Sequence, residues 1–152
     1  MTIFAFQKDF VQELKKLFTE FRIDVKKELK KVNIFMQDIP FSQQKNAKEI
    51  FPYIIVRVEE GSISTEKNIC QVVLIFGVYN DDINRQGYKD LLNIMQKVLY
   101  HYSVEKIISQ RYVVNGEMEW VIQDDENIFP HFIGGISFDV ELPAIRIFDD
   151  NV

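Results

Sequence analysis

The stretch Phe51-Pro52-Tyr53-Ile54-Ile55-Val56-Arg57-Val58-Glu59-Glu60-Gly61, with Asn68-Ile69-Cys70-Gln71-Val72-Val73-Leu74-Ile75-Phe76-Gly77-Val78-Tyr79-Asn80 a few residues on, decides the fold. Both runs are rich in β-branched and aromatic residues and both end in turn formers, as a two-stranded antiparallel unit requires. Ile54, Ile55 and Val56 stand in a row instead of alternating with polar residues, the pattern of a strand covered on both faces. The second run is also apolar on both faces and predicts a central strand. Gly61 to Lys67 between them reads as a polar loop.

On the N-terminal side, Phe10, Leu14, Leu17, Phe18, Phe21, Val25 and Leu29 recur at steps of three and four. That stripe predicts a helix from about Gln7 to Lys31. Asp9 and Glu13 in its first turns, and Lys26, Lys27, Lys30 and Lys31 near its end, suit the helix dipole. Ile23 falls off the stripe, so a break at Phe21–Val25 is the alternative. Ile34 and Met36 either open a short strand or belong to a loop that Pro40 ends. Ser42 to Glu49 reads as a polar loop.

On the C-terminal side, Asn80–Asn84 reads as the cap of a second helix from about Arg85 to Tyr102. Its predicted core face is Tyr88, Leu91, Leu92, Met95, Val98, Leu99 and Tyr102. Asn115-Gly116, between Arg111–Val114 and Glu117–Ile122, predicts a two-residue hairpin. Pairing across that turn puts Val113, Met118 and Trp120 on one face and Glu117 and Glu119 on the other. The last strand, Phe132 to Leu142, alternates Ile136, Phe138, Val140 and Leu142 inward with Ser137, Asp139 and Glu141 outward. Gly134-Gly135 marks a bulge or bend in it, Pro143 ends it, and the acidic tail is expected to fray. The order helix, two strands, helix, three strands predicts one α+β domain over residues 1–152, a largely antiparallel β-sheet with two main helices packed on one face.

The composition, 47% hydrophobic and 27% charged over 152 residues, is that of a soluble globular protein with a sufficient core. The 13 Phe residues either fill that core or anchor subunit contacts. A single cysteine, Cys70, excludes an internal disulfide framework and a cysteine zinc site, and its apolar strand predicts an inert thiol. The opening Met1-Thr2-Ile3-Phe4-Ala5-Phe6 lacks the charged leader and long apolar segment of a signal peptide. No run approaches a membrane span.

Charge is uneven: residues 1–50 hold ten Lys or Arg against seven Asp or Glu, net +3, while residues 51–152 hold eight against sixteen, net −8. Either this is a basic helix on an acidic body, or neighbouring subunits pack head to tail, basic face on acidic face. The second reading makes Lys26, Lys27, Lys30, Lys31, Glu117 and Glu119 candidate interface residues.

Signals for chemistry are weak. His101 and His131 lie in different elements without a triad-like neighbour. Asp82-x-Asn84-x-Gln86-Gly87 imitates the opening of a calcium loop, but its twelfth position is Asn93 instead of Glu. Asp124-Asp125-Glu126-Asn127 reads as a solvated acidic turn. Gly134-Gly135 lacks the lysine of a phosphate loop. Trp120, Phe129 and Phe132 lie among Glu117, Glu119, Asp124 and Glu126, where a single-strand nucleic-acid platform would need a basic groove. The sequence therefore implies no catalytic, metal or cofactor site.

Phe51-Pro52-Tyr53-Ile54-Ile55-Val56-Arg57, Phe76-Gly77-Val78-Tyr79 with Gly87-Tyr88 opening the next helix, and Phe132-Ile133-Gly134-Gly135-Ile136 resemble the small tail-terminator (tail-completion) proteins of long-tailed bacteriophages and prophages. The likeness covers about Phe51 to Leu142. It implies a structural virion protein and not an enzyme: a small α+β subunit that assembles as a homo-oligomeric ring, typically a hexamer, on the last ring of tail-tube protein. There it stops tube growth and presents a surface for the head-to-tail connector. It also implies a place in the virion tail, with the host cytoplasm as the site of assembly, and no active site, cofactor, membrane or specific nucleic-acid partner. Another neck or baseplate ring, or a non-phage α+β binding domain, is the alternative.

Overall fold

A computed structural model of the chain describes residues 2–40, 48–123 and 128–143. Within them the first helix, α1 (Ile3–Leu17), is fixed by Thr2, whose Oγ1 accepts a hydrogen bond from the Ala5 N–H at 3.0 Å. Phe6, Phe10 and Leu14, one turn apart on its inner face, are fully buried.

The chain leaves helical geometry at Phe18, well short of Lys31. Arg22–Val25 is a strand, β1, with Ile23 and Val25 buried and Arg22 and Asp24 exposed. It pairs antiparallel with β2 (Glu28–Lys31) across Lys26-Lys27, which have φ of 52° and 66°. The physical reason is period: positions 21, 23 and 25 alternate, and two β-branched residues favour the pleated form. The residues 21, 25 and 29 fit both periods, which is how a strand pair imitates a helix.

β3 (Asn33–Met36) lies parallel to β4 (Tyr53–Ile63), which pairs antiparallel with β5 (Asn68–Tyr79). The strand pair read from the sequence is present, but β4 continues through Gly61-Ser62-Ile63, so the connection is shorter than the predicted loop. α2 (Gln86–Val104) follows, then β6 (Ile107–Ile108), β7 (Tyr112–Ile122) and β8 (His131–Leu142). The six-stranded sheet runs β3-β4-β5-β8-β7-β6, antiparallel except at β3–β4. β5 is central, as its composition implies.

Both helices pack on one face of this curled sheet, giving an α+β fold. The inner residues Val72, Leu74 and Phe76 of β5, with Ile136, Phe138, Val140 and Leu142 of β8, meet Phe6, Phe10, Leu14, Leu91, Ile94 and Val98. Phe10 contacts Tyr102 and Phe138 edge-on, at 5.6 and 5.9 Å. α1 also reaches the far edge: the Glu13 carboxylate accepts the Ser109 N–H at 3.0 Å, and Asp9 accepts the Tyr112 hydroxyl at 2.8 Å. These bonds tie α1 to the β6–β7 connection while it packs on β3 and β4, so the sheet wraps around it. On the opposite face Phe35, Ile50, Phe51, Tyr53 and Ile55 form a second small core. That is why β4 is buried on both sides from Tyr53 to Val56.

Three local expectations need correction. Asn115-Gly116 is not a hairpin turn. Tyr112–Ile122 is one strand, and Asn115 opposes Asp139 while Glu119 opposes Ser137, so three residues face Phe138 alone. Gly116, at φ 78°, carries this bulge. Gly134-Gly135, by contrast, sits in unbroken register. A Cβ on Gly134 would lie 2.6 Å from the Met95 sulfur, so this glycine admits α2 close to the sheet. Finally, α2 has no side-chain cap; Asn80 and Asp82 accept the N–H groups of Asp82 and Asn84 and form turns ahead of it. Its core face includes Asp90 and Ile94, while Tyr88 is exposed.

Candidate functional site

The four lysines singled out by the sequence lie on a hairpin, not on a helix. Lys26 and Lys27 form its turn, and Lys30 and Lys31 stand on β2. The Lys26 ammonium sits 2.8 Å from Asp81, ahead of α2. Each raises or lowers the other as an ion pair does: the Lys26 pKa goes up through its hydrogen bond and attraction to Asp81, and Asp81 goes down, led by the same bond. Both are solvent-exposed, so the pair orients more than it stabilises. Lys27, Lys30 and Lys31 form no ion pair among the described residues, and Leu29 between them is 68% exposed.

Glu117 and Glu119 lie at the bulge of β7, both exposed, and contact none of these lysines within the subunit. β6 pairs with β7 only at Tyr112 and Val113, supplemented by the Val114 N–H to Lys106 carbonyl bond. From Glu117 to Ile122, β7 therefore has β8 on one side and no strand on the other among the described residues. The outward backbone groups of that edge are unpaired by any strand.

Trp120 opposes Ile136 and so lies on the helix side of the sheet, as expected, yet it is 58% exposed. The reason is that α2 lies over β5 and β8 and leaves the end of β7 uncovered. Val113, read as its face-mate, is exposed on the other side of the strand; the buried neighbours are Tyr112 and Val114. Trp120 walls a cleft of about 670 Å³ with Arg85, Tyr88, Phe129 and Phe132. Arg85 stands over the Phe129 ring at 5.2 Å. A second hollow of about 540 Å³ lies on its other side, beside Tyr100, Glu117 and Met118. Sequence reading missed this cleft because Tyr88 fits the core stripe of α2 and Trp120 fits the inner face of β7.

The remaining candidates pack within the fold. His131 packs against the rings of Phe51 and Tyr79, both at 5.2 Å, and His101 meets Tyr102 edge-on. Cys70 is buried, and that burial, with Asp139 adding negative charge, pushes its thiol up to about 11, far from a reactive thiolate. Asp90 is buried behind Asn80 and Gln86, whose amides reach it at 3.4 and 3.5 Å. Burial raises its pKa against the effect of those bonds. No cluster of three metal-ligating side chains exists among the described residues, and no helix there is long and apolar enough to cross a membrane. Ser42–Ala47, the acidic turn Asp124–Asn127 and the C-terminal tail lie outside the described residues.

Comparison with protein-family models finds none that matches this chain, and comparison with curated proteins finds no match either.

Proposed function

We propose that this chain is a non-catalytic virion subunit that forms a ring, a hexamer on the family pattern, on the end of a phage tail tube. There it stops tube growth and supports joining to the head. One observation carries the reading: the strand stretches that resemble tail terminators, far apart in sequence, fall on β4, β5 and β8, three adjacent strands, with Gly87-Tyr88 at the start of α2. A second feature supports it. A ring of identical subunits needs two different patches that meet, and the subunit offers a basic hairpin and an acidic strand edge. Its partners on this reading are copies of itself, the tail-tube protein and the head-to-tail connector. It works in the virion tail after assembly in the host cytoplasm, without cofactor, membrane or specific nucleic-acid binding.

The test mixes the purified protein with tubes assembled from the neighbouring tube protein. Tubes of set length, capped at one end by extra density, are expected. Unchecked growth with bare tips would sink the terminator reading and leave a neck or baseplate adaptor. The same preparation should not retard duplex DNA at physiological salt, because its net charge of −5 repels phosphate. The aromatic cleft beside Trp120 favours a different reading, a peptide- or small-molecule-binding domain. A stable monomer that leaves tubes untouched would favour it.

A further inference from the structure

We infer that the basic hairpin β1–β2 of one copy docks on the free edge of β7 in the next copy, adding strand β2 to the sheet and seating Leu29 against Trp120. This deepens the ring reading and rests on it for closure, though the pairing itself does not need a tail tube.

Three observations converge on these two surfaces. Both are strand edges. No strand pairs with the outer side of β2, and none with β7 from Glu117 to Ile122, among the described residues. An unpaired edge of this kind is a template for another strand. The two also differ in charge: the hairpin turn and β2 carry Lys27, Lys30 and Lys31 against Glu28, and the β7 edge carries Glu117 and Glu119, none of these in an ion pair within the subunit among the described residues. Two copies of the β7 edge would bring Glu117 and Glu119 against like charges, whereas the hairpin offers it an excess of lysines, which favours a head-to-tail pairing. Each surface also exposes a large apolar side chain beside its charges, Leu29 on the hairpin and Trp120 next to a hollow on the edge. Another free edge, beyond Val58 in β4, carries Glu59 and Glu60 and is like-charged with β7.

The Lys26–Asp81 pair has a place in this arrangement. It orients the hairpin turn toward the loop before α2 at 2.8 Å and leaves Lys27 and Lys31 exposed, while Lys30, opposite Ile23, is half-buried.

The test is a charge exchange in the full chain. One variant carries Lys30→Glu and Lys31→Glu; the other carries Glu117→Lys and Glu119→Lys. Each alone places like charges across the contact, so self-association, read by sedimentation at millimolar protein, should fall at least tenfold below wild type. Mixed in equal amounts they restore both kinds of contact, alternating around the assembly, and association should return. Both variants keep their buried residues, and unchanged circular dichroism establishes that each is folded. Trp120, the single tryptophan, should blue-shift on association in wild type and in the mixture but in neither variant alone. Association of either variant at wild-type strength, or failure of the mixture to recover, overturns the pairing. So does a wild type that is monomeric at that concentration and whose capping of tubes, if any, is matched by either variant alone. Tube assays separate the two ideas. Capping by each variant alone removes this interface and keeps the terminator reading. Recovery in the mixture with unchecked tube growth keeps the interface and removes the terminator.

Discussion

Lys26 and Lys27 lie in the left-handed region, as does Gly116 of Asn115-Gly116, yet the first pair reverses the chain and the second lets it run on. The difference lies in what flanks them. Either side of Lys26-Lys27 stand four-residue strands that, among the described residues, pair only with each other, with Ile23 and Val25 held in the core. Either side of Asn115-Gly116 the chain has a better partner than itself. β8 is twelve residues long and pairs with β7 at seven positions spanning Val113 to Ile122. A local hairpin would have satisfied only the four residues of Arg111–Val114, and β8 would have lost its neighbour. The bulge keeps the ladder and accommodates the surplus residues as Gly116-Glu117-Met118. A turn signal thus sets what a segment can do cheaply, and the available partner strand sets what it does.

The largest expected effect tests the bulge through the aromatics around it. Phe138 faces the bulge from β8 and is 3% exposed, whereas Trp120 is 58% exposed two positions beyond it on β7. Phe138→Ala should cost about 3–5 kcal/mol in denaturant unfolding, and Trp120→Ala less than about 1 kcal/mol. Equal losses would mean that the inner face of β7 is covered along its length, as a hairpin register would make it. In that case the cleft would not exist in solution.

A second pair of substitutions acts on the two left-handed sites themselves. A Cβ on Gly116 would touch nothing within 4 Å, so Gly116→Ala isolates backbone strain and should cost about 1 kcal/mol. Lys27, a residue with a Cβ at φ 66°, presents the converse case. Lys27→Gly should leave stability unchanged or raise it by up to about 1 kcal/mol, relief of strain opposing the greater freedom of the unfolded chain. A substantial loss from Lys27→Gly would show that the turn is held by something other than its backbone.

This contrast also explains how much of the molecule was legible in its residues. The β4–β5 pair, the central place of β5 and the inward set Ile136, Phe138, Val140 and Leu142 follow from composition and alternation, because each is buried in a layer whose partner is present whatever the topology. The α+β class follows with them. The helix over residues 18–31 failed since Phe21, Val25 and Leu29 satisfy a period of four and a period of two alike. The hairpin at Asn115 failed because its competing partner, Asp139, lies 24 residues further along the chain. The outward face of Glu117 and Glu119 was readable, but the free edge of β7 was not. An edge is a property of the sheet, and it depends on β6 ending after two residues.

Smaller effects distinguish the buried polar groups beneath the two regions. On the hairpin side, Asp90 supports the Asn80–Asp81 loop that receives Lys26. Its folded pKa lies above the ordinary carboxylate value because it is buried. The folded state therefore holds this proton more tightly than the unfolded state. Stability contributed by the neutral acid is present at low pH and is lost as pH rises through the raised value. Asp90→Asn should flatten that part of the pH–stability profile and leave the neutral-pH protein as stable as wild type or slightly more so. A loss at neutral pH, with the profile unchanged, would show that the ionised carboxylate is needed to hold the loop.

On the bulge side the smallest effect is expected at Tyr102, which is fully buried near the end of α2 and borders the hollow under Gly116, Glu117 and Met118. Its hydroxyl finds no hydrogen-bond partner among the described residues. Burial raises its pKa most, and the neighbouring Glu13 carboxylate, already accepting the Ser109 N–H, raises it further. The ring contributes through Phe10, whereas the hydroxyl is desolvated with little in return. Tyr102→Phe should therefore change stability by no more than about 0.5 kcal/mol and in the favourable direction. A loss above about 1 kcal/mol would mean that Tyr102 donates to Glu13 in solution. The α1 contact to the β6–β7 connection, and with it the position of the free edge of β7, would then depend on that bond.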